Sequence, residues 1–265
     1  MAGPRWREIA EDLRKKIESN SFEPGSQLPN EFELCEEYDA SRNTVRDAVG
    51  WLVNRGLVDR RSGKGTFVVN RIDPFITRLT NALDTGLGEN VAYMSEVQEK
   101  QREPRVTPPR VEVQMAEAFV ARMLNLQPED QVVSRHQRRY IDDKPYSMQT
   151  SFYPMSLVTA HQAFQLIQAA DISEGTIGYL RSLGVSQVGY RDLTLARPPL
   201  PDEIAFFDIP EIGVPILEHR RTSFNAEGER FRLTVTVYPA DRNRFASDVG
   251  IIPPDAFLGS NDEVD

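Results

Sequence analysis

Arg42, Asn43, Thr44 and Arg46 are side-chain types that read base edges and hold phosphates in a DNA groove. Their spacing gives that chemistry a direction. Val45, Ala48, Val49, Leu52 and Val53 recur at helical intervals and form an apolar stripe. Arg42 and Arg46, four residues apart, share a face away from that stripe. Ser41 is the expected N-cap and Gly56 the expected stop. The polar set therefore lies at the N-terminal end of one amphipathic helix, the end that a recognition helix turns toward the major groove. Val58 to Arg61 and Thr66 to Val69 read as two short strands around Ser62-Gly63-Lys64-Gly65, a tight turn carrying a cation.

The elements before this helix complete a unit. Trp6, Ile9, Ala10, Leu13 and Ile17 predict a first helix over 4–19, and Phe22-Glu23-Pro24-Gly25 a turn. Asn30, with Glu33 three residues on, predicts a capped second helix with Phe32, Leu34, Cys35 and Tyr38 on its apolar side. Three helices and a two-stranded wing make a winged helix-turn-helix, and Phe32 and Trp51 are expected to pack in a core or an interface.

Bulk composition bounds the rest. At 265 residues the chain has room for two domains. It has no apolar run long enough to span a membrane and no secretory h-region at its start, so a cytoplasmic protein without membrane association is expected. One cysteine, Cys35, excludes a disulfide framework within the chain and fits a reducing compartment. The net charge is −9, yet residues 41–68 hold six Lys/Arg against Asp47 and Asp59. A local basic surface on an acidic chain can bind DNA, and the acidic remainder weakens loose association.

Residues 71–92 read as a linker with a short helix around Phe75, Ile76, Leu79 and Leu83, and 98–110 as a Pro-rich loop or edge strand. Met115 to Leu124 reads as helix. Residues 131–154 and 216–239 read as two hairpins, each ending in Tyr-Pro, a weak repeat that suggests one antiparallel sheet. Helices are expected at 155–169, 176–184 and 201–207, a strand near 187–196, and an acidic disordered tail at 251–265.

Two resemblances carry further expectations. PGSQLPNEFELCEEYDASRNTVRDAVGWLVNRGLVDRRSGKGTFV resembles the DNA-binding domain of GntR-type bacterial transcription regulators. The resemblance implies base or phosphate contacts by Ser41, Arg42, Asn43, Thr44 and Arg46, and a wing tip of Lys64, Gly65 and Thr66 at the minor groove. Many members carry Arg where this chain has Phe32, and a polar residue where it has Trp51. The stretches at 135–154, 174–180, 213–224 and 234–245 resemble the UTRA effector domain of the HutC-like subfamily. That implies an α+β protein: a winged helix-turn-helix over 1–70, and a chorismate-lyase-like antiparallel-sheet domain over 93–250 that binds a small effector and dimerises. By position, Arg135, Arg138 and Thr176 would hold the effector. Gln149 and Arg232 stand where relatives often have Glu gripping sugar hydroxyls, which favours an acidic or less hydroxylated ligand over a sugar phosphate.

Read without the resemblance, Arg135 and Arg138 divide evenly between surface charge and ligand clamp, Thr176 is a helix cap, and Cys35 a small buried side chain. His136, His161 and His219 have no metal-ligand spacing. No nucleophile elbow, Walker A loop, dinucleotide fingerprint or zincin motif appears, so no catalytic residue, metal or cofactor is assigned. The expected function is a homodimeric repressor on a short palindromic operator, controlled by an acidic effector. The alternative is a small-acid-binding protein or lyase-like enzyme whose winged module mediates protein contacts.

Overall fold

The computed structural model describes residues 4–69, 74–78 and 89–247. The expected acidic tail at 251–265 lies outside them. The chain forms two compact units: 1–74 with 198–215 and 240–242, and 75–197 with 216–239 and 243–265.

In the first unit, α1 (Arg5–Glu18) buries Ile9, Ala10, Leu13 and Ile17, the predicted stripe. α2 (Glu31–Tyr38) starts in the predicted capping box: Asn30 Oδ1 accepts from the N–H groups of Phe32 and Glu33, and Glu33 accepts from the Asn30 N–H. α3 (Arg42–Asn54) starts at Ser41, whose hydroxyl accepts from the Thr44 N–H at 3.3 Å. Gly56 follows it at φ +65, a conformation that favours glycine, and an added Cβ would stand 3.2 Å from the Gly213 carbonyl oxygen. The wing is β1 (Val58–Arg61) paired antiparallel with β2 (Gly65–Val68). One core joins the three helices and the wing through Leu13, Leu34, Val45, Leu52 and Val58.

In the second unit, the expected helix near Phe75 is instead a strand, β3 (Phe75–Arg78), paired parallel with the distant β11 (Asn243–Ala246). The sequence gives no local sign of that partner. α4 (Glu89–Glu99) precedes a seven-stranded sheet. Its strands are β4 (Pro104–Val106), β5 (Arg110–Met115), β6 (Gln131–Ile141), β7 (Lys144–Pro154), β8 (Gly189–Arg197), β9 (Ile216–Phe224) and β10 (Arg230–Pro239). The order is β4-β6-β7-β10-β9-β8, with β5 pairing the other half of β6, and every pairing within this sheet is antiparallel. The two Tyr-Pro hairpins stand side by side through β7 and β10. The edge strand expected within 98–110 is β4, while β5 falls mostly between that stretch and the expected helix, and α5 is correspondingly shorter (Ala118–Leu124). α5 packs on Val132 and Leu233. The expected helix at 155–169 is broken into α6 (Met155–Ala160) and a 3-10 turn (Phe164–Ile167); α7 (Gly175–Ser182) follows. In the first unit α8 spans Pro201–Phe207.

Candidate DNA-reading face and effector site

Arg42, Asn43 and Arg46 are exposed on α3, opposite its buried stripe. Thr44 is half-buried, and its hydroxyl shares a 2.8 Å hydrogen bond with that of Ser41. The Arg46 Nε lies 3.8 Å from Glu31 of α2, with both side chains largely solvated. Such a pair holds Arg46 weakly and leaves it free to exchange a carboxylate for a phosphate. Arg60 of the wing reaches the Arg46 carbonyl oxygen at 3.5 Å, so the wing and the outer face of α3 border each other. A cleft runs between the wing and the start of α2, lined by Asn30, Glu31, Arg60, Arg61, Gly65 and Thr66 among others.

Lys64 and Gly65 are exposed at the wing tip, and Thr66 is half-buried behind them. The wing is braced by a segment that sequence patterning passed over. Leu28 N–H donates to the Thr66 carbonyl at 2.8 Å, Gly25 N–H to the Val68 carbonyl at 2.9 Å, and the Gln27 amide to the Lys64 carbonyl at 3.0 Å. Gly65 has φ +120, and an added Cβ would fall 2.4 Å from Gln27 Nε2. The positive φ favours glycine here independently of any approach to DNA, and the Gln27 amide would have to shift to admit a side chain. Phe32 does not join the apolar side of α2: it is 62% exposed, the main departure from expectation in this unit. Trp51 packs on the winged domain's own core, with the Arg55 guanidinium 4.1 Å above its ring.

In the second unit, strand register collects polar side chains in rows on one face of the sheet. Arg135, Ser151, Thr234, Arg221 and Asp192 align across five strands. Gln137, Gln149, Thr236, His219 and Thr194 form the next row. Gln149 and Arg232, both singled out from sequence, meet here. Arg139 donates to Gln149, Gln149 to Ser151 at 3.4 Å, and Arg232 to Ser151 at 3.0 Å. The Ser151 and Thr234 hydroxyls lie 3.2 Å apart. Beyond them Arg221 clasps Asp192 in two bonds of 2.8 and 2.7 Å, with the Tyr190 ring 3.9 Å from its guanidinium. Burial alone would raise the pKa of Asp192, but bonds from Arg221 and His219 outweigh it and hold it at about 2. The buried hydroxyls of Ser147, Tyr153 and Ser223 have no hydrogen-bond partner. Unpaired buried hydroxyls are costly, so a sheet face that keeps them is suited to a ligand that supplies the missing bonds.

The other candidates are placed differently. Arg135 is buried and donates to the carbonyl oxygens of Gln165, Leu166, Gln168 and Ala170, at 3.3, 2.8, 2.8 and 2.7 Å. Its donors tie down the 3-10 turn and the residues after it, between α6 and α7. Arg138, three residues on, faces the opposite side of the strand and is exposed. Thr176 is the second residue of α7 and half-buried. Arg139, Ser151 and Thr234 were not singled out from sequence. The alternation Thr234-Val235-Thr236-Val237 carried a signal for them, since period two puts both threonines on one face.

A three-helix wing domain with Arg42, Asn43 and Arg46 exposed at one helix end, followed by an α+β sheet domain with a polar inner face, defines a two-domain protein of the winged helix-turn-helix class. The particular family follows from direct comparison. Residues 6–68 match the model of bacterial regulatory proteins of the gntR family, and residues 99–244, over half the chain, match that of the UTRA domain. The chain belongs to the UTRA-bearing proteins of the gntR family of bacterial regulatory proteins. It is 31% identical to the uncharacterized HTH-type transcriptional regulator YurK of Bacillus subtilis (strain 168), over 59% of this chain and 59% of that protein. It is 30% identical to the mannosyl-D-glycerate transport/metabolism system repressor MngR of Escherichia coli (strain K12), over 58% of this chain and 60% of that one. With the HTH-type transcriptional repressor NagR of B. subtilis the match is 24% identical and spans 91% of this chain and 93% of the relative. The chain thus spans about three fifths of YurK and MngR and nearly all of NagR. A crystal structure assigned to the GntR family of transcriptional regulators superposes with a TM-score of 0.69 at 25% identity, covering 94% of this chain and 98% of that one. No helix among the described residues is long and apolar enough to cross a membrane.

Proposed function

We propose that the protein is a homodimeric, cytoplasmic repressor whose winged domains bind the two halves of a short palindromic operator, and whose release is controlled by a small acidic effector on the second unit. A two-fold protein reads a two-fold site, which is the reason for pairing dimer and palindrome. The repressor sense follows the printed names of MngR and NagR. Ser41, Arg42, Asn43, Thr44 and Arg46 read the major groove, and Lys64, Gly65 and Thr66 bring the wing tip to the minor groove. The observation that carries this is the exposed cationic face of α3, held outward by a fully buried opposite stripe.

For the effector, the supporting observation is the sign of the sheet face. Its charged side chains are Arg135, Arg139, Arg221 and Arg232 against Asp192. An acidic ligand is favoured there over a neutral one. It binds through Gln149 and Arg232, reaches the unpaired Ser147, Tyr153 and Ser223 hydroxyls, and places its anion toward Thr176 at the start of α7. Arg135 holds the segment that leads into α7, and Arg138 lies on the other face. The ligand shifts DNA affinity only by its differential affinity for the two dimer arrangements.

The experiment is a mobility-shift titration of the full chain against duplexes from upstream of its own coding sequence, at several salt concentrations, with and without small organic acids, sugar phosphates and neutral sugars. Sequence-selective binding that weakens with salt and is released by an acid is the expected result. Equal binding to all duplexes, or turnover of a small acid without DNA binding, overturns the reading.

A further inference from the structure

Phe32 is the second residue of α2 and leaves 62% of its surface in solvent. A single exposed apolar side chain is ordinary on a protein surface. Three features set this one apart. Its backbone is fixed, because its N–H donates to Asn30 Oδ1 at 3.0 Å within the capping box. Its chain neighbour Glu31 faces Arg46 at 3.8 Å, so the backbone that carries the ring lies one residue from a contact with the α3 outer face. Two exposed cations also lie beyond Glu31, Arg46 itself and Arg60, whose guanidinium reaches the Arg46 carbonyl oxygen at 3.5 Å, and a surface that exposes them is suited to a polyanion. A partner that is polyanionic and yet offers an apolar group is DNA read in its major groove, where the C5-methyl of thymine is the apolar feature of the base edges.

We infer that Phe32 is a specificity-determining residue that packs its ring on the methyl group of a thymine beside the bases read by Arg42 and Arg46. The inference rests on α3 being the reading helix. Phe32 would then add a preference for thymine at one position of each half-site, and the capping box would supply the rigidity that makes a single methyl contact selective. Asn30 is in this sense a positioning residue for the ring.

The test uses the full chain and duplexes it selects from a random-sequence pool. Each thymine of a selected duplex is replaced in turn by deoxyuridine, which removes the methyl and leaves every hydrogen-bonding group in place. The wild-type protein should lose about fourfold in affinity at one thymine per half-site, the worth of burying about one methyl-sized group. F32A should bind thymine and deoxyuridine equally at that position, and F32L should retain part of the difference. Two outcomes overturn the proposal: no thymine whose methyl the wild-type protein senses, or a methyl profile that F32A leaves unchanged. If R46A bound the selected duplex as the wild type does, α3 would not be the reading helix and the proposal would fall with it. That failure is read from R46A and is distinct from a flat methyl scan.

Discussion

Replacing Arg135 with methionine separates two roles that sequence alone could not. The guanidinium donates four bonds to carbonyl oxygens of the segment before α7, three of them at 2.7–2.8 Å and one at 3.3 Å. A bond from a charged donor contributes about 1.5–3 kcal/mol, so the three short ones total roughly 5–9 kcal/mol gross. Burying the cation costs several kcal/mol in return; burial also lowers its pKa. Methionine preserves most of the apolar stem but leaves those carbonyls unpaired. The net expected loss is about 2–4 kcal/mol of stability in the second unit, before any effector is added. With a urea dependence of about 1–3 kcal/mol per molar, the midpoint should fall by roughly 1–2 M. The assay is urea unfolding of the full chain. Both tryptophans, Trp6 and Trp51, lie in the first unit, so their emission follows that unit, while far-ultraviolet circular dichroism also records the large sheet. The dichroism transition should move to lower urea. An unchanged transition combined with loss of effector binding would refute the reasoning and return Arg135 to the role of ligand clamp.

Arg42→Ala and Arg46→Ala should each cost about 1–3 kcal/mol at a specific site, read as the change in Kd by titration, and unchanged affinity in both would remove α3 from the groove. Glu31→Gln frees Arg46 from its solvated partner and should tighten binding to the same duplex with a steeper salt dependence; equal affinity would show that the pair is broken already in solution. Gly65→Ala meets both a left-handed backbone and the Gln27 amide, so it should cost about 1–3 kcal/mol in thermal unfolding of the first unit, and an unshifted Tm would show that the brace yields freely. The pKa of Asp192 lies below its ordinary 3.8, at about 2, so its clasp with Arg221 stabilises the fold above pH 3.8 and that contribution of about 2 kcal/mol is lost as pH falls from 3.8 toward 2. Asp192→Asn should abolish that slope, and a variant that keeps the wild-type slope would place the acid sensitivity elsewhere.

The parts of this protein that could be read from sequence are those whose cause is local. Asn30 with Glu33, Ser41 with Thr44, and Gly56 each fix a helix end through atoms a few residues apart, so their pattern is complete in the chain itself. The two Tyr-Pro hairpins were legible for the same reason. What escaped depends on partners far along the chain. β3 looks like a helix fragment until Asn243–Ala246 pairs with it, and the stretch at Gly25–Leu28 looks like a turn until it braces β2. The effector face shows the same division. The resemblance groups Arg135 with Arg138 by position, yet strand period puts them on opposite faces, and Arg135 finds its partners some 30 residues away at Gln165 to Ala170. The resemblance also pairs Gln149 with Arg232, and their meeting through Ser151 is a product of register between β7 and β10.

Phe32 is the instructive misfit. Leu34, Cys35 and Tyr38 share the side of α2 that packs on the core, whereas Phe32, two residues before Leu34, falls about 200° from it around the helix and is left outside. Exposure alone gives the ring no role, since single apolar side chains are ordinary on a surface. What gives it one, under the proposal, is its place one residue from the Glu31–Arg46 contact. That is why methyl removal from the DNA, rather than another stability measurement, is the experiment that decides its role.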